Sequence, residues 1–76
     1  MKKATIRLAT INDVKNFVSK VSLCDFDVDL ISGRYAVDAK SIMGIFSLDL
    51  EKPIALEAHT EDAAEFFTAI KQYIVD

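Results

Sequence analysis

Residues 27–50 read DVDLISGRYAVDAKSIMGIFSLDL, and their patterning decides the fold. Together with the two residues before them, Phe26, Val28 and Leu30 point one way while Asp25, Asp27 and Asp29 point the other. Strict period-two alternation is the mark of a strand with one buried and one wet face, and here the wet face is acidic. Ser32 and Gly33 give a turn signal. Tyr35 and Val37 then alternate with Arg34, Ala36 and Asp38, so the two runs are expected to form a hairpin. That pairing sets Arg34 across from the aspartates on the outer face as solvated surface.

The second half of the stretch, KSIMGIFSL at residues 40–48, places Ile42, Met43, Ile45, Phe46 and Leu48 within seven positions. A helix this short is held by tertiary contacts rather than by its own propensity. Ser41 precedes the apolar run as an N-cap does, its hydroxyl accepting from an otherwise unpaired first-turn N–H. On a helical wheel Ile45 and Leu48 share the flank that reaches a core. Ile42, Met43 and Phe46 tend to the other flank, where they can form an apolar patch beside a hydroxyl. A reading in which all five residues are core and Ser41 is only a cap stands beside this one.

Outward from this centre, Ala4, Ile6 and Leu8 alternate with Thr5 and Arg7 as a first strand. Val14, Phe17, Val18 and Val21 then fall at i, i+3, i+4 and i+7, the stripe of an amphipathic helix capped at Asn12 and running to about Ser22. Downstream, Pro53 opens a last strand in which Ile54, Leu56 and Ala58 face inward. Thr60 is the expected cap of a final helix with Glu61 and Asp62 in its first turn and Ala63, Phe66, Phe67, Ile70, Tyr73 and Ile74 along its stripe. The order is β-α-β-β-α-β-α, an α+β plan whose helices cover a single sheet face.

Composition narrows the function classes. A chain of 76 residues is expected to be one domain, residues 1–76, with a thin core and no deep enclosed site. No apolar run approaches the roughly 18–20 residues of a membrane span, and the start, MKKATIRLAT, has no unbroken apolar segment of a signal peptide. A cytoplasmic protein with no membrane contact is expected. Nine basic and twelve acidic residues give a net charge of −3, with no cluster of basic and aromatic residues of the kind that binds nucleic acid. The single cysteine, Cys24, forms neither an internal disulfide nor a paired-cysteine metal site and reads as a small hydrophobe. Neither a cofactor nor a metal is expected.

Residues 27–50 resemble the central segment of HPr, the histidine-containing phosphocarrier of the sugar phosphotransferase system (PTS), in which a strand, a turn, a strand and KSIMG recur. The resemblance implies an open-faced sandwich, a four-stranded antiparallel sheet covered by helices on one face. It also implies roles for the short helix. In the family, across many bacteria, the serine of KSIMG is the target of HPr kinase/phosphorylase and the neighbouring apolar residues dock partners. Carried over by position, Ser41 is the phosphorylation site, and Lys40, Ile42, Met43 and Phe46 are the partner-binding residues.

The family's acceptor loop does not carry over. HPr holds its phosphoryl group on a histidine in a GxHARPA-type loop before the first helix, whereas the corresponding stretch here is LATINDV. The histidine falls at about Thr10, the arginine at about Asn12 and the proline at about Asp13. An alcohol such as Thr10 is a poor nucleophile without a base and forms a stable ester, not a high-energy phosphoramidate. Asp13 repels a phosphate. The single histidine, His59, lies beyond the fourth strand among Glu57, Glu61 and Asp62, and reads as surface with no catalytic or metal role. No catalytic residue is assigned.

These departures imply a regulatory or docking protein related to the PTS, not an enzyme and not a histidine phosphocarrier, similar to histidine-free relatives that act in carbon-catabolite regulation. The partner that the resemblance implies is HPr kinase/phosphorylase, or another PTS-related or transcriptional regulator protein. The arginine that HPr-type proteins use to contact the catabolite control regulator is missing. A phosphocarrier with a non-standard acceptor, or a structural paralogue without phosphorylation, are the alternatives.

Overall fold

The computed structural model describes residues 1–75; Asp76, the last residue of the expected domain, lies outside the described residues. The elements are β1 (Lys2–Ile6), α1 (Ile11–Val21), β2 (Val28–Ser32), β3 (Tyr35–Asp38), α2 (Ile42–Phe46), β4 (Ile54–Ala58) and α3 (Ala64–Ala69), followed by a 3₁₀ turn at Lys71–Tyr73. The strands form one antiparallel sheet in the order β1-β4-β2-β3. This is the expected α+β plan, and the register supplies the strand pairing that periodicity leaves open.

Register sorts the side chains into two faces. Leu30 pairs with Leu56 and Ile6 with Ile54, and all four are fully buried beneath the helices. On the opposite face Lys3, Glu57, Asp29 and Asp38 lie in one cross-strand row, and Thr5, Ala55, Ile31 and Ala36 in the next. Lys3 Nζ reaches Glu57 Oε2 at 3.8 Å. From the helices, Val14, Phe17 and Val21 of α1, Ile45 of α2 and Phe66 of α3 fill the space above the sheet. Phe17 meets Tyr73 edge-on at 5.9 Å, a geometry aromatic pairs favour.

Several boundaries differ from the sequence expectation. Helix α1 is capped by Thr10, not Asn12: the Thr10 hydroxyl accepts from the Asp13 N–H, and the Asp13 carboxylate accepts from the Thr10 N–H, completing a capping box. A reciprocal pair outweighs the single bond Asn12 offers. Strand β2 starts at Val28, so of the three aspartates only Asp29 sits in the strand, half-buried, while Asp25 and Asp27 are exposed in the approach to it. Phe26 has left the strand alternation to meet Phe66 edge-on at 5.7 Å. Arg34 lies in the two-residue turn and not across from the aspartates; Gly33 supplies the φ of 60° that such a turn requires.

The final helix is shorter than its stripe. Thr60 is not its cap: Ala63 stands at that position without a side-chain cap bond, Asp62 Oδ1 accepts from the Ala64 N–H, and the helix ends before Ile70. The chain then turns back along β1, where the Tyr73 carbonyl accepts from Arg7 N–H and Val75 N–H donates to the Thr5 carbonyl. Those bonds cover part of the β1 edge of the sheet, which explains why Tyr73 and Ile74 leave the helix. No helix among the described residues is long and apolar enough to cross a membrane.

Candidate functional site

Ala39, fully buried, donates its N–H to the Val28 carbonyl at 2.8 Å and anchors the entry to α2. Asp38 steers the next two residues: its carboxylate accepts from Lys40 N–H at 2.8 Å and its carbonyl from Ser41 N–H at 2.9 Å. Ser41 follows in an extended conformation as the N-cap, with Oγ accepting from Gly44 N–H at 3.1 Å. The hydroxyl is on an exposed residue. Gly44 is there for space: a Cβ on it lies 3.2 Å from the Val37 Cβ and 3.3 Å from Ser41 Oγ.

The apolar residues of α2 divide. Ile45 is fully buried and Leu48 nearly so, while Met43 is 77% and Phe46 41% exposed. Ile42 is half-buried and packs against the core. Lys40 turns away from solvent, its ammonium donating to the Cys24 carbonyl at 3.0 Å. The hydroxyl, the exposed pair Met43 and Phe46, and a tethered Lys40 thus occupy one short segment between β3 and β4.

At the start of α1 the arrangement is different. Asp13 Oδ2 accepts from the N–H groups of both Ala9 and Thr10, at 3.0 and 3.2 Å, and Asp13 N–H donates to Thr10 Oγ1. The carboxylate thus holds the two N–H groups just before the helix, and the Thr10 hydroxyl holds one of the first-turn N–H groups that a helix start offers to an anion. Burial raises the Cys24 thiol pKa; nearby Lys40 opposes that shift and Asp25 adds to it.

His59 has a partner that sequence spacing did not reveal. Its Nε2 lies 2.8 Å from Asp29 Oδ2, thirty residues earlier in the chain, and not on neighbouring Glu57, Glu61 or Asp62. The pair joins the β4 end to β2, and His59 N–H donates to the Asp27 carbonyl. Because Ala58 pairs with Lys2 and Ile54 with Ile6, His59 lies at the end of the sheet opposite the β1–α1 loop. No group of acidic, histidine or cysteine side chains among the described residues is arranged to hold a metal ion.

These features define the class first: a small open-faced α+β sandwich with a serine-capped short helix beside its edge strand. The chain belongs to the HPr family of the phosphotransferase system, since the family profile described as "PTS HPr component phosphorylation site" matches residues 11–76. Members of that family are phosphocarrier proteins, not enzymes. Among solved structures, HPr-C-His from Thermoanaerobacter tengcongensis is similar with 28% identity and a TM-score of 0.79, covering 95% of this chain and 89% of that one. The phosphocarrier protein HPr from Bacillus anthracis str. Ames has 23% identity and a TM-score of 0.72, covering 96% and 95%. Crh, the Bacillus subtilis catabolite repression containing protein, has 25% identity and a TM-score of 0.67, covering 93% and 88%. No curated protein sequence matches the chain.

Proposed function

We propose that this chain is a regulatory and docking protein of the HPr family, related to the phosphotransferase system, that is phosphorylated on Ser41 by HPr kinase/phosphorylase and does not carry phosphate on histidine. The observation that carries the reading is the contrast between the two helix starts. At α2 the Ser41 hydroxyl belongs to an exposed residue, two positions before the exposed Met43. At α1 the cap is a threonine and not a histidine, and the Asp13 carboxylate, held on the Ala9 and Thr10 N–H groups, sets a negative charge at the helix start that repels a phosphoryl group.

In the transfer, Ser41 Oγ attacks the γ-phosphorus of ATP, its proton passes to a base of the kinase, and ADP leaves. The product carries about −1.5 to −2 charges beside Lys40, Ile42, Met43 and Phe46, the proposed docking surface. A partner that desolvates the apolar residues must then also neutralise a phosphate, which favours partners bearing arginine or lysine there. The likeness to Crh, a catabolite repression containing protein, is in keeping with a regulatory role.

Incubation with HPr kinase and ATP, followed by mass spectrometry of wild type and Ser41→Ala, tests the reading. One phosphate on the wild type and none on the variant is expected. Equal labelling of both, or none on either, leaves Ser41 as a cap alone. Enzyme I with phosphoenolpyruvate should give no acid-labile phosphate; labelling at His59 would overturn the non-carrier part.

A further inference from the structure

A second surface lies between the C-terminal end of α1 and the start of α3. It is a groove of about 810 Å³. Its apolar part is built from Leu23, Phe26 and Phe66, and Leu23, in the turn after α1, is 88% exposed. A leucine presented so fully to water contributes nothing to this fold's core. Phe26 is half-buried on Phe66, leaving part of its ring open.

The rim is anionic. Asp25, Asp62 and Glu65 line it against a single cation, Lys20. Neither Asp25 nor Glu65 has an ion-pair or side-chain hydrogen-bond partner among the described residues, whose two such ionic contacts are Lys3–Glu57 and His59–Asp29. Lys40, just before α2, sets its ammonium on the carbonyl of the groove residue Cys24 at 3.0 Å, without forming an ion pair with Asp25 or Glu65. The groove therefore pairs an unfilled apolar floor with carboxylates that outnumber the cations of its lining, on a chain whose net charge is already −3.

From this juxtaposition we infer that the groove docks a cationic amphipathic segment of a partner protein, a large apolar side chain set on Leu23 and Phe26 and flanked by lysine or arginine facing Asp25 and Glu65. Apolar contact supplies affinity, while the charges steer association and exclude acidic segments. The site is separate from the Met43 and Phe46 surface and needs no phosphate on Ser41, so it stands or falls independently of that reading.

The test titrates the uniformly ¹⁵N-labelled, unphosphorylated chain with an amphipathic peptide of about 14 residues made of leucine, phenylalanine and lysine, and with the same peptide carrying glutamate for lysine. The lysine peptide is expected to shift the amides of Leu23, Phe26 and Glu65 saturably, more weakly at high salt, while the glutamate peptide does not. The double variant Asp25→Lys, Glu65→Lys should weaken binding about tenfold or more, and Leu23→Ser, an exposed change that leaves the core intact, should weaken it too. The inference is overturned if binding survives both variants unchanged, if the shifts centre instead on Met43 and Phe46 or on the acidic row of the open face, or if the lysine peptide does not bind.

Discussion

The Lys40 ammonium donates to the Cys24 carbonyl at 3.0 Å across sixteen residues of sequence, tying the entry of α2 to the turn after α1. The bond is partly buried, and charge-assisted bonds of this kind stabilise more than neutral ones. Lys40→Met keeps the aliphatic stem and removes the donor. It is expected to lower stability by about 1 kcal/mol, because the freed carbonyl can take up water, and urea denaturation with an unchanged m-value measures it.

Cys24 responds to the same lysine through its thiol. Burial holds its pKa above the ordinary thiol range, with Lys40 acting downward and Asp25 upward. The folded chain therefore keeps this proton to higher pH than the unfolded chain. The resulting stabilisation is fully present below the ordinary thiol pKa and is lost as pH rises through the folded value. From about pH 8 to pH 10, wild-type stability should fall more steeply than that of Cys24→Ala, and equal slopes would refute it. Asp25→Asn should speed alkylation of the thiol at mildly alkaline pH.

The capping box at α1 is open to a direct measurement. Asp13→Ala removes an acceptor for the Ala9 and Thr10 N–H groups and leaves only the Thr10 hydroxyl bond in place. A loss of about 1 kcal/mol is expected, with Thr10→Ala similar and the double variant less than additive because the two side chains form one reciprocal unit. Additive losses in thermal unfolding would show that the bonds act separately.

How far these relationships were legible in the sequence depended on their range. Element order came from local periodicity, and Ile45 and Leu48 reached the core as their wheel positions required. The Thr10 box was local too, but the stronger intrinsic preference for asparagine at an N-cap hid it. Phe26 left its strand for Phe66, forty residues away, and His59 paired with Asp29 rather than with its acidic neighbours. Such pairings depend on strand order β1-β4-β2-β3, which no periodicity encodes. At the candidate site, Ser41's cap was readable from KSIMG, whereas the role of Gly44 needed the position of Val37, and the Lys40 tether needed that of Cys24.

Tyr73 carries a buried hydroxyl with no hydrogen-bond partner among the described residues. A buried hydroxyl without a partner costs free energy relative to a ring that lacks it. Tyr73→Phe retains the edge-on contact with Phe17 and should raise stability by about 1 kcal/mol. A marked decrease in melting temperature would instead mean that the hydroxyl makes a bond in solution.

Phosphorylation of Ser41 should leave the fold intact. The hydroxyl oxygen accepts from Gly44 N–H in the first turn of α2, and a phosphoryl group placed there offers further acceptors at the positive end of the helix. α2 is only five residues long and the site is exposed, so the gain is at most about 1 kcal/mol. Ile45 and Leu48, which hold the helix down, lie on the other flank and are untouched by the new charge. Far-ultraviolet circular dichroism should therefore be unchanged and the melting temperature equal or slightly higher. Over the same modification, binding of an uncharged apolar probe at Met43 and Phe46 should weaken, because its contacts would have to desolvate part of the phosphate. If the modified protein instead melts markedly lower, the phosphate acts by disrupting α2 and not by changing which partners the surface admits.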